Sequence, residues 1–275
     1  MNLFQFYFGI KHFIYRKVYL GIMIPRNHLV LDIGSGDKPF WRADAYIDDL
    51  KLSDYERAGS EPTAKLGLFI DADAEKIPFE DETFDFVFCS HLLEHVNNPG
   101  NVIEEILRVT KPSGKGYIEC PSALTEIAFP FSGHQWMIFP NPKKGLDFVR
   151  ISSDLHNATF ECSDFRKLFS KKITWNGYKT FIQKKWTKRN GIQYSIYDPI
   201  KDNLKYEGEL THREISTELT YQGNKLITHK KIALILRKLF IKKNDNKLAY
   251  LLNKLEAKEL KKIIEKDGTV CYLRH

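Results

Sequence analysis

Between about residues 28 and 122, short apolar runs alternate with a stretch of helical periodicity. His28-Leu29-Val30-Leu31-Asp32-Ile33 is closed by Gly34-Ser35-Gly36, the pattern of a buried strand entering a tight turn. Ala45-Tyr46-Ile47-Asp48, Leu66-Gly67-Leu68-Phe69-Ile70, Phe84–Cys89 and Gly116–Cys120 repeat it. Before the last of these, Val102, Ile103, Ile106, Leu107 and Val109 recur at helical spacing, and Pro112-Ser113-Gly114 stops that helix. Short apolar strands interleaved with helical patterns belong to sheets covered on both sides. The pattern therefore predicts an α/β fold with a mostly parallel sheet and helices on both faces.

Beyond Pro121 the pattern changes. Trp136 to Phe139 and Leu146 to Ile151 read as a hairpin, and Asn176-Gly177 and Asn190-Gly191, each between β-prone runs, predict two more. From about residue 228 the chain reads as helix: Ile232, Ile235, Leu236, Leu239 and Phe240 share one face, and Leu248, Leu251, Leu252 and Leu255 another. The expected organisation is an N-terminal amphipathic helix (1–27), a main domain with hairpin insertions (28–185), a hairpin and linker (186–227) and a basic helical C-terminal tail (228–275).

The 275-residue chain is 43% hydrophobic, which supports a sizeable core and excludes disorder as the dominant state. Its net charge of +7 is concentrated: residues 225–262 hold 12 Lys and Arg against three acids, leaving the rest of the chain near −2. Such a tail is expected to meet an anionic partner, such as a membrane surface, in preference to nucleic acid. The N-terminus carries Lys11, His12, Arg16 and Lys17 after its aromatic residues, the reverse of a secretory signal, and no run of 18 apolar residues occurs. Cys89, Cys120, Cys162 and Cys271 form no CxxC pair, so neither a disulfide scaffold nor a metal site is expected. The expected location is the cytoplasm, at most peripheral at the inner face of the membrane.

Ligands in open α/β sheets bind beyond the carboxyl ends of the strands, so the residues after each strand carry the chemistry. Asp32 with Gly34 and Gly36 lets the backbone approach a ligand beside an acid; Asp48 suits the two hydroxyls of a ribose; Asp73 suits an amino group such as that of adenine. Together they describe a nucleoside with a positively charged end. A dinucleotide is disfavoured, because Pro39 stands where a third glycine belongs.

Val30-Leu31-Asp32-Ile33-Gly34-Ser35-Gly36 resembles the first motif of class I S-adenosylmethionine (SAM) methyltransferases, of the type 11 kind. Asp73-Ala74-Glu75-Lys76-Ile77-Pro78-Phe79, Phe84-Asp85-Phe86-Val87, Ser90-His91-Leu92-Leu93-Glu94-His95-Val96 and Arg108–Gly114 resemble further motifs in order and spacing. The resemblance covers residues 28 to 122 and implies a Rossmann-like fold with SAM as cofactor. It places Asp32, Gly34, Ser35 and Gly36 around the methionine part, Asp48 on the ribose, Asp73 and the Ala74 backbone on the adenine, and Cys89 and Ser90 at the sulfonium end. The Gly116–Ser122 stretch is similar to methyltransferases of bacterial surface-polysaccharide pathways.

Two features refine the expectation. Only 11 residues separate Gly36 from Asp48, too few for a full crossover helix, so Lys38 or Arg42 is expected to replace the helix terminus that would hold the SAM carboxylate. An oxygen acceptor profits from a base near neutral pKa, which singles out His91 and His134. The function read from the sequence is methyl transfer to the oxygen of a small molecule or glycan precursor. The alternatives are an RNA methyltransferase, or a degenerate, non-enzymatic fold acting at a membrane surface or with a partner.

Overall fold

The structure is a computed structural model and describes residues 18–36, 38–50, 67–128, 133–140, 145–151, 181–197, 229–241, 245–256, 260–264 and 269–274. In chain order the elements are α1 (Leu20–Met23), β1 (Val30–Ile33), β2 (Ala45–Asp48), β3 (Leu68–Asp71), β4 (Phe84–Ser90), α2 (Pro99–Val109), β5 (Thr110–Pro121) and α3 (Ala123–Ala128). Then follow β6 (Trp136–Pro140), β7 (Leu146–Arg150), β8 (Phe181–Thr187), β9 (Tyr194–Tyr197), α4 (His229–Phe240), α5 (Asp245–Asn253), β10 (Leu260–Ile264) and β11 (Val270–Arg274).

Eight strands form the main sheet in the order β10-β11-β3-β2-β1-β4-β5-β8. The five central strands are parallel, as the interleaving of short apolar runs with helical periodicity predicts. Strand order reverses at β1, with β2 and β3 on one side and β4 and β5 on the other. The switch point where such sheets bind ligands therefore lies at the carboxyl end of β1. Two apolar clusters cover the two faces. Leu31, Ile33, Ile47, Ile70, Val87 and Ile118 meet α2 and, through Leu251, α5. Val30, Tyr46, Phe69, Phe88 and Tyr117 meet α1 through Leu20, and α4 through Ala233. Helix α2 starts where Asn98 accepts from the Gly100 and Asn101 N–H groups with Pro99 in its first turn, a cap of about 1 kcal/mol.

Between β1 and β2 no helix occurs among the described residues; Phe40 and Trp41 fill that place, Phe40 stacking on Phe88 at 4.3 Å. Asn190-Gly191 does make a turn, with Gly191 at φ +63, but not a hairpin. β8 before it pairs antiparallel with β5, whereas β9 after it runs parallel to β7 in the separate sheet β6-β7-β9. Turn chemistry set the bend, and packing chose the partners. β8 also runs across residue 185, where the sequence pattern divides the chain. The predicted hairpin of β6 and β7 is present, and its Trp136 and Phe148 are core residues. Asn176-Gly177 lies outside the described residues, as do residues 1–17 of the expected N-terminal helix, whose described end is the single turn α1.

The tail is helical over α4 and α5 and then turns to strand. β11 pairs parallel with β3, and β10 pairs antiparallel with β11 as the outermost strand. Lys261 and Lys262 are exposed on β10, where charge discourages further strand pairing. Several of the tail's cations face the domain. Arg237 donates to the Trp41 carbonyl (3.1 Å), the Tyr46 hydroxyl (2.9 Å) and the Ala43 carbonyl, and Lys247 donates to the His28 carbonyl (2.6 Å) and pairs with Asp44. Part of the charge that predicts an outside partner is thus spent on docking the tail. No described helix is long and apolar enough to cross a membrane.

Candidate functional site

The carboxyl ends of β1 and β2 are joined by the glycine turn. Gly34 and Ser35 donate backbone N–H groups to the Ile47 carbonyl (2.9 and 3.3 Å), and Gly36 N–H donates to Asp48 Oδ2 (2.7 Å). Both glycines have positive φ, +70 at Gly34 and +49 at Gly36, a conformation that side chains resist. A Cβ at Gly34 would press on Leu92 at 3.0 Å, whereas one at Gly36 would meet nothing within 4 Å, so Gly36 borders open space. Asp32 is buried beneath the turn and accepts from the Phe40 N–H (2.7 Å). Asp48 pairs in register with Asp71, and exposed Asp73 lies two residues further, its Oδ1 accepting from the Glu75 N–H (2.8 Å). Asp32, Gly34, Ser35, Gly36, Asp48, Asp73 and Ala74 therefore occupy one end of the sheet. An acid set beside a glycine turn that opens onto space fits an adenosyl sulfonium with its ammonium group.

Of the two candidate replacements for the missing helix terminus, only Lys38 is at this rim, exposed in the turn with its N–H on the Ser35 carbonyl (3.1 Å). Arg42 is buried at the opposite end of the sheet, donating to the Pro25, Arg26 and His28 carbonyls ahead of β1 and pairing with Asp44 at 3.4 Å. The Asp44 carboxylate also caps the Val30 N–H (3.0 Å), so the acid and its arginine hold the strand's start. Arg42 is excluded as a cofactor ligand.

A second group of polar side chains gathers at the ends of β4 and β5. Cys89 is fully buried, and burial, with the charges of Glu94 and Asp32, pushes its thiol well above the ordinary range, so it stays protonated. Ser90 Oγ donates to Glu119 Oε1 at 3.4 Å, and the Tyr117 hydroxyl donates to Glu119 Oε2 at 2.6 Å. His91 sits at φ +55 and spans two buried carboxylates: its Nδ1 is 3.2 Å from Glu94 Oε1, and its Nε2 is 3.6 Å from Glu119 Oε1. Burial alone would raise the Glu94 pKa. The hydrogen bond and charge of His91, with the charges of His95 and His134, outweigh burial and hold that carboxyl below its usual range. Trp136 and Trp186 are buried in the core.

His134 joins this group through a segment laced to β4's following turn. The Gln135 N–H donates to the Glu94 carbonyl (2.7 Å), its side-chain amide donates to the His95 carbonyl (2.7 Å), and Trp136 Nε1 donates to the Val96 carbonyl (2.8 Å). His134 Nδ1 contacts the buried Glu126 carboxylate, and its ring meets that of His95 edge-on at 4.7 Å. The sequence pattern named no metal ligands, yet Glu94, His95 and His134 each offer a ligand atom within 4.8 Å of the others. His134 lies far along the chain from the adjacent Glu94 and His95, which hid the group.

Residues 31–118 match the methyltransferase domain family. The chain is 33% identical over 117 residues to an uncharacterised methyltransferase of Mycobacterium leprae, covering 40% of this chain and 42% of that protein. It is 31% identical over 118 residues to one of Mycolicibacterium gilvum, covering 40% and 44%. The chain thus spans less than half the length of these relatives. Solved structures similar to it include the putative methyltransferase of Haloferax volcanii in complex with the Trm112 methyltransferase activator (14% identity, 68% of this chain and 98% of that one, TM-score 0.39). A SAM-dependent methyltransferase of Mesorhizobium loti is another (12% identity, 62% and 95%, TM-score 0.35). The family match spans β1 to β5, the strand order reverses at β1 and the acids gather at that switch, so residues 31–118 are similar to a methyltransferase domain and have its Rossmann-like α/β fold.

Proposed function

We propose that the protein transfers the methyl group of SAM to a hydroxyl oxygen of a small molecule or glycan precursor. The observation that carries this reading is the convergence of Asp32, the Gly34–Gly36 turn and Asp48 at the switch point, with Gly36 bonded directly to Asp48 and bordering open space. In this reading Asp32 and the turn bind the methionine end, Asp48 the ribose and Asp73 the adenine. Lys38 faces the carboxylate that a helix terminus would otherwise hold. SAM supplies a sulfonium leaving group and an activated methyl. The chain's task is to align an acceptor with that methyl and keep other nucleophiles out. Ser90, His91, Glu119 and His134 line the acceptor side with polar groups, which favours a hydroxyl-bearing molecule over a flat apolar one.

The test is thermal melting with the demethylated cofactor. A ligand at 100 times its Kd stabilises the folded state by about 2.7 kcal/mol, a readable rise in Tm. Lys38→Ala is expected to weaken this binding several-fold. A folded protein whose melting is unmoved by millimolar cofactor would overturn the assignment.

A further inference from the structure

We propose that Glu94, His95 and His134 bind one divalent transition-metal ion of the zinc class, and that its open coordination position takes the acceptor's hydroxyl oxygen. The second half of this inference rests on the methyl-transfer reading; the first does not.

Three observations support the site. The first is the donor set: two imidazoles and a carboxylate whose ligand atoms lie within 4.8 Å of one another. Catalytic zinc is held by such three-ligand sets, His₂Glu among them, with a fourth position left open. Bond lengths of about 2.1 Å bring tetrahedral ligands to about 3.4 Å apart, so the side chains need to close by little more than an ångström.

The second is the fixing of the rings. His95 Nδ1 lies 3.1 Å from the Gly133 carbonyl, which only accepts, so Nδ1 carries the proton and Nε2 bears the lone pair. His134 Nδ1 is bonded to the Glu126 carboxylate, which fixes that ring the same way. Metal-bound histidines are oriented by this arrangement, one nitrogen on the ion and the other donating to a carbonyl or carboxylate.

The third is an unmet demand. Glu94 is fully buried; one carboxylate oxygen is engaged by His91, but Oε2 has no hydrogen-bond partner. A buried carboxylate oxygen left unpaired costs on the order of 1–3 kcal/mol or more, and an ion shared with two histidines would answer that cost. His95 and His134 are less completely buried than Glu94.

The place suits the role. Glu94 is bonded to His91, and His91 approaches Glu119, which accepts from Ser90 at the end of β4. A hydroxyl held on the ion gives up its proton to water at lower pH than a free one, and it is held in one orientation. That chemistry favours acceptors whose nucleophile is a hydroxyl that can coordinate and ionise, such as a sugar hydroxyl, over carbon nucleophiles.

The experiment is a titration of the chelator-treated full-length protein with Co²⁺, followed by visible absorption and repeated with Zn²⁺ in competition. One equivalent giving d–d bands without a thiolate charge-transfer band is the expected result. His95→Ala, His134→Ala and Glu94→Gln should each weaken binding at least tenfold, and Glu126→Gln by 10- to 100-fold through the loosened ring. No stoichiometric uptake by the unmodified protein, a strong thiolate band, or affinity unchanged in folded His95→Ala and His134→Ala overturns the site. Melting with the demethylated cofactor on the metal-free protein tests the SAM reading separately, so either inference fails without the other. If Zn²⁺ binds but does not tighten binding of a hydroxylated acceptor in the presence of the demethylated cofactor, the acceptor role fails and the metal site stands.

Discussion

His91 has a left-handed backbone, a conformation that costs an ordinary side chain about 1–2 kcal/mol and that glycine or asparagine would adopt more easily. The turn tolerates it because the His91 N–H donates to the Glu119 carbonyl at 2.8 Å while the ring reaches Glu94 and Glu119. Strain held in place by surrounding bonds is a mark of a functional position. His91→Asn preserves the backbone and removes the ring. We expect turnover at saturating SAM to fall by about 10²-fold with cofactor affinity unchanged, as for loss of one positioned polar group. Steady-state rates beside a cofactor titration would show it, and an unchanged rate would remove His91 from the acceptor side. The positions of Asp32, Asp48 and Asp73 at the switch end of the sheet were legible because each lies in or just after a short apolar run. The Glu126 partner of His134 was not, because neither residue stands in a periodic pattern that announces the other.

At the level of elements, the packing of β5 against β8 explains where the second half of the chain joins the first. Gly116 has no side chain, and the Trp186 ring lies over it so closely that a Cβ there would be 2.2 Å from the indole. Gly116→Ala should therefore destabilise the protein by about 1–3 kcal/mol, the usual cost of overpacking. In a Trp186→Leu background the same substitution should cost less, so a double-mutant cycle by denaturant unfolding reads the coupling directly. β4 to β5 was readable because its strand, helix and stop signals are local. The joining of β8 to β5 depends on a glycine and a tryptophan distant in sequence, and no local pattern encodes that contact.

For the molecule as a whole, the last described strand, β11, joins the sheet between β10 and β3, and Arg274 near its end reaches the acids that follow β2 and β3. Arg274 Nη2 pairs with Asp71 at 2.7 Å and also contacts Asp49, and its backbone N–H reaches Asp71 Oδ2 at 3.2 Å. Burial alone would raise the Asp71 pKa, but the hydrogen bonds from Arg274 and from the Leu50 N–H hold it below the ordinary carboxylate value. A carboxylate depressed in the folded state contributes stability above its unfolded pKa of about 3.9, and that contribution is lost as pH falls through the lower folded value. Asp71→Asn should accordingly be less stable than the parent near neutrality, and the two unfolding curves should converge in acid. Denaturant titrations at several pH values would reveal a constant gap if the pair contributes nothing.

Sequence by itself determined what neighbouring residues can settle: five apolar strands, the helix between the fourth and fifth, the glycine turn and the acids after the strands. Each rests on a periodicity or a turn preference confined to a few residues. Tertiary structure alone decided that Arg42 holds the start of β1 instead of the cofactor rim, and that the tail's arginines and lysines dock it. It also added a strand pair beyond β3 and brought His134 to His95 and Glu94. Those outcomes depend on which distant surfaces bury one another, a competition among non-local contacts that no short window of sequence records.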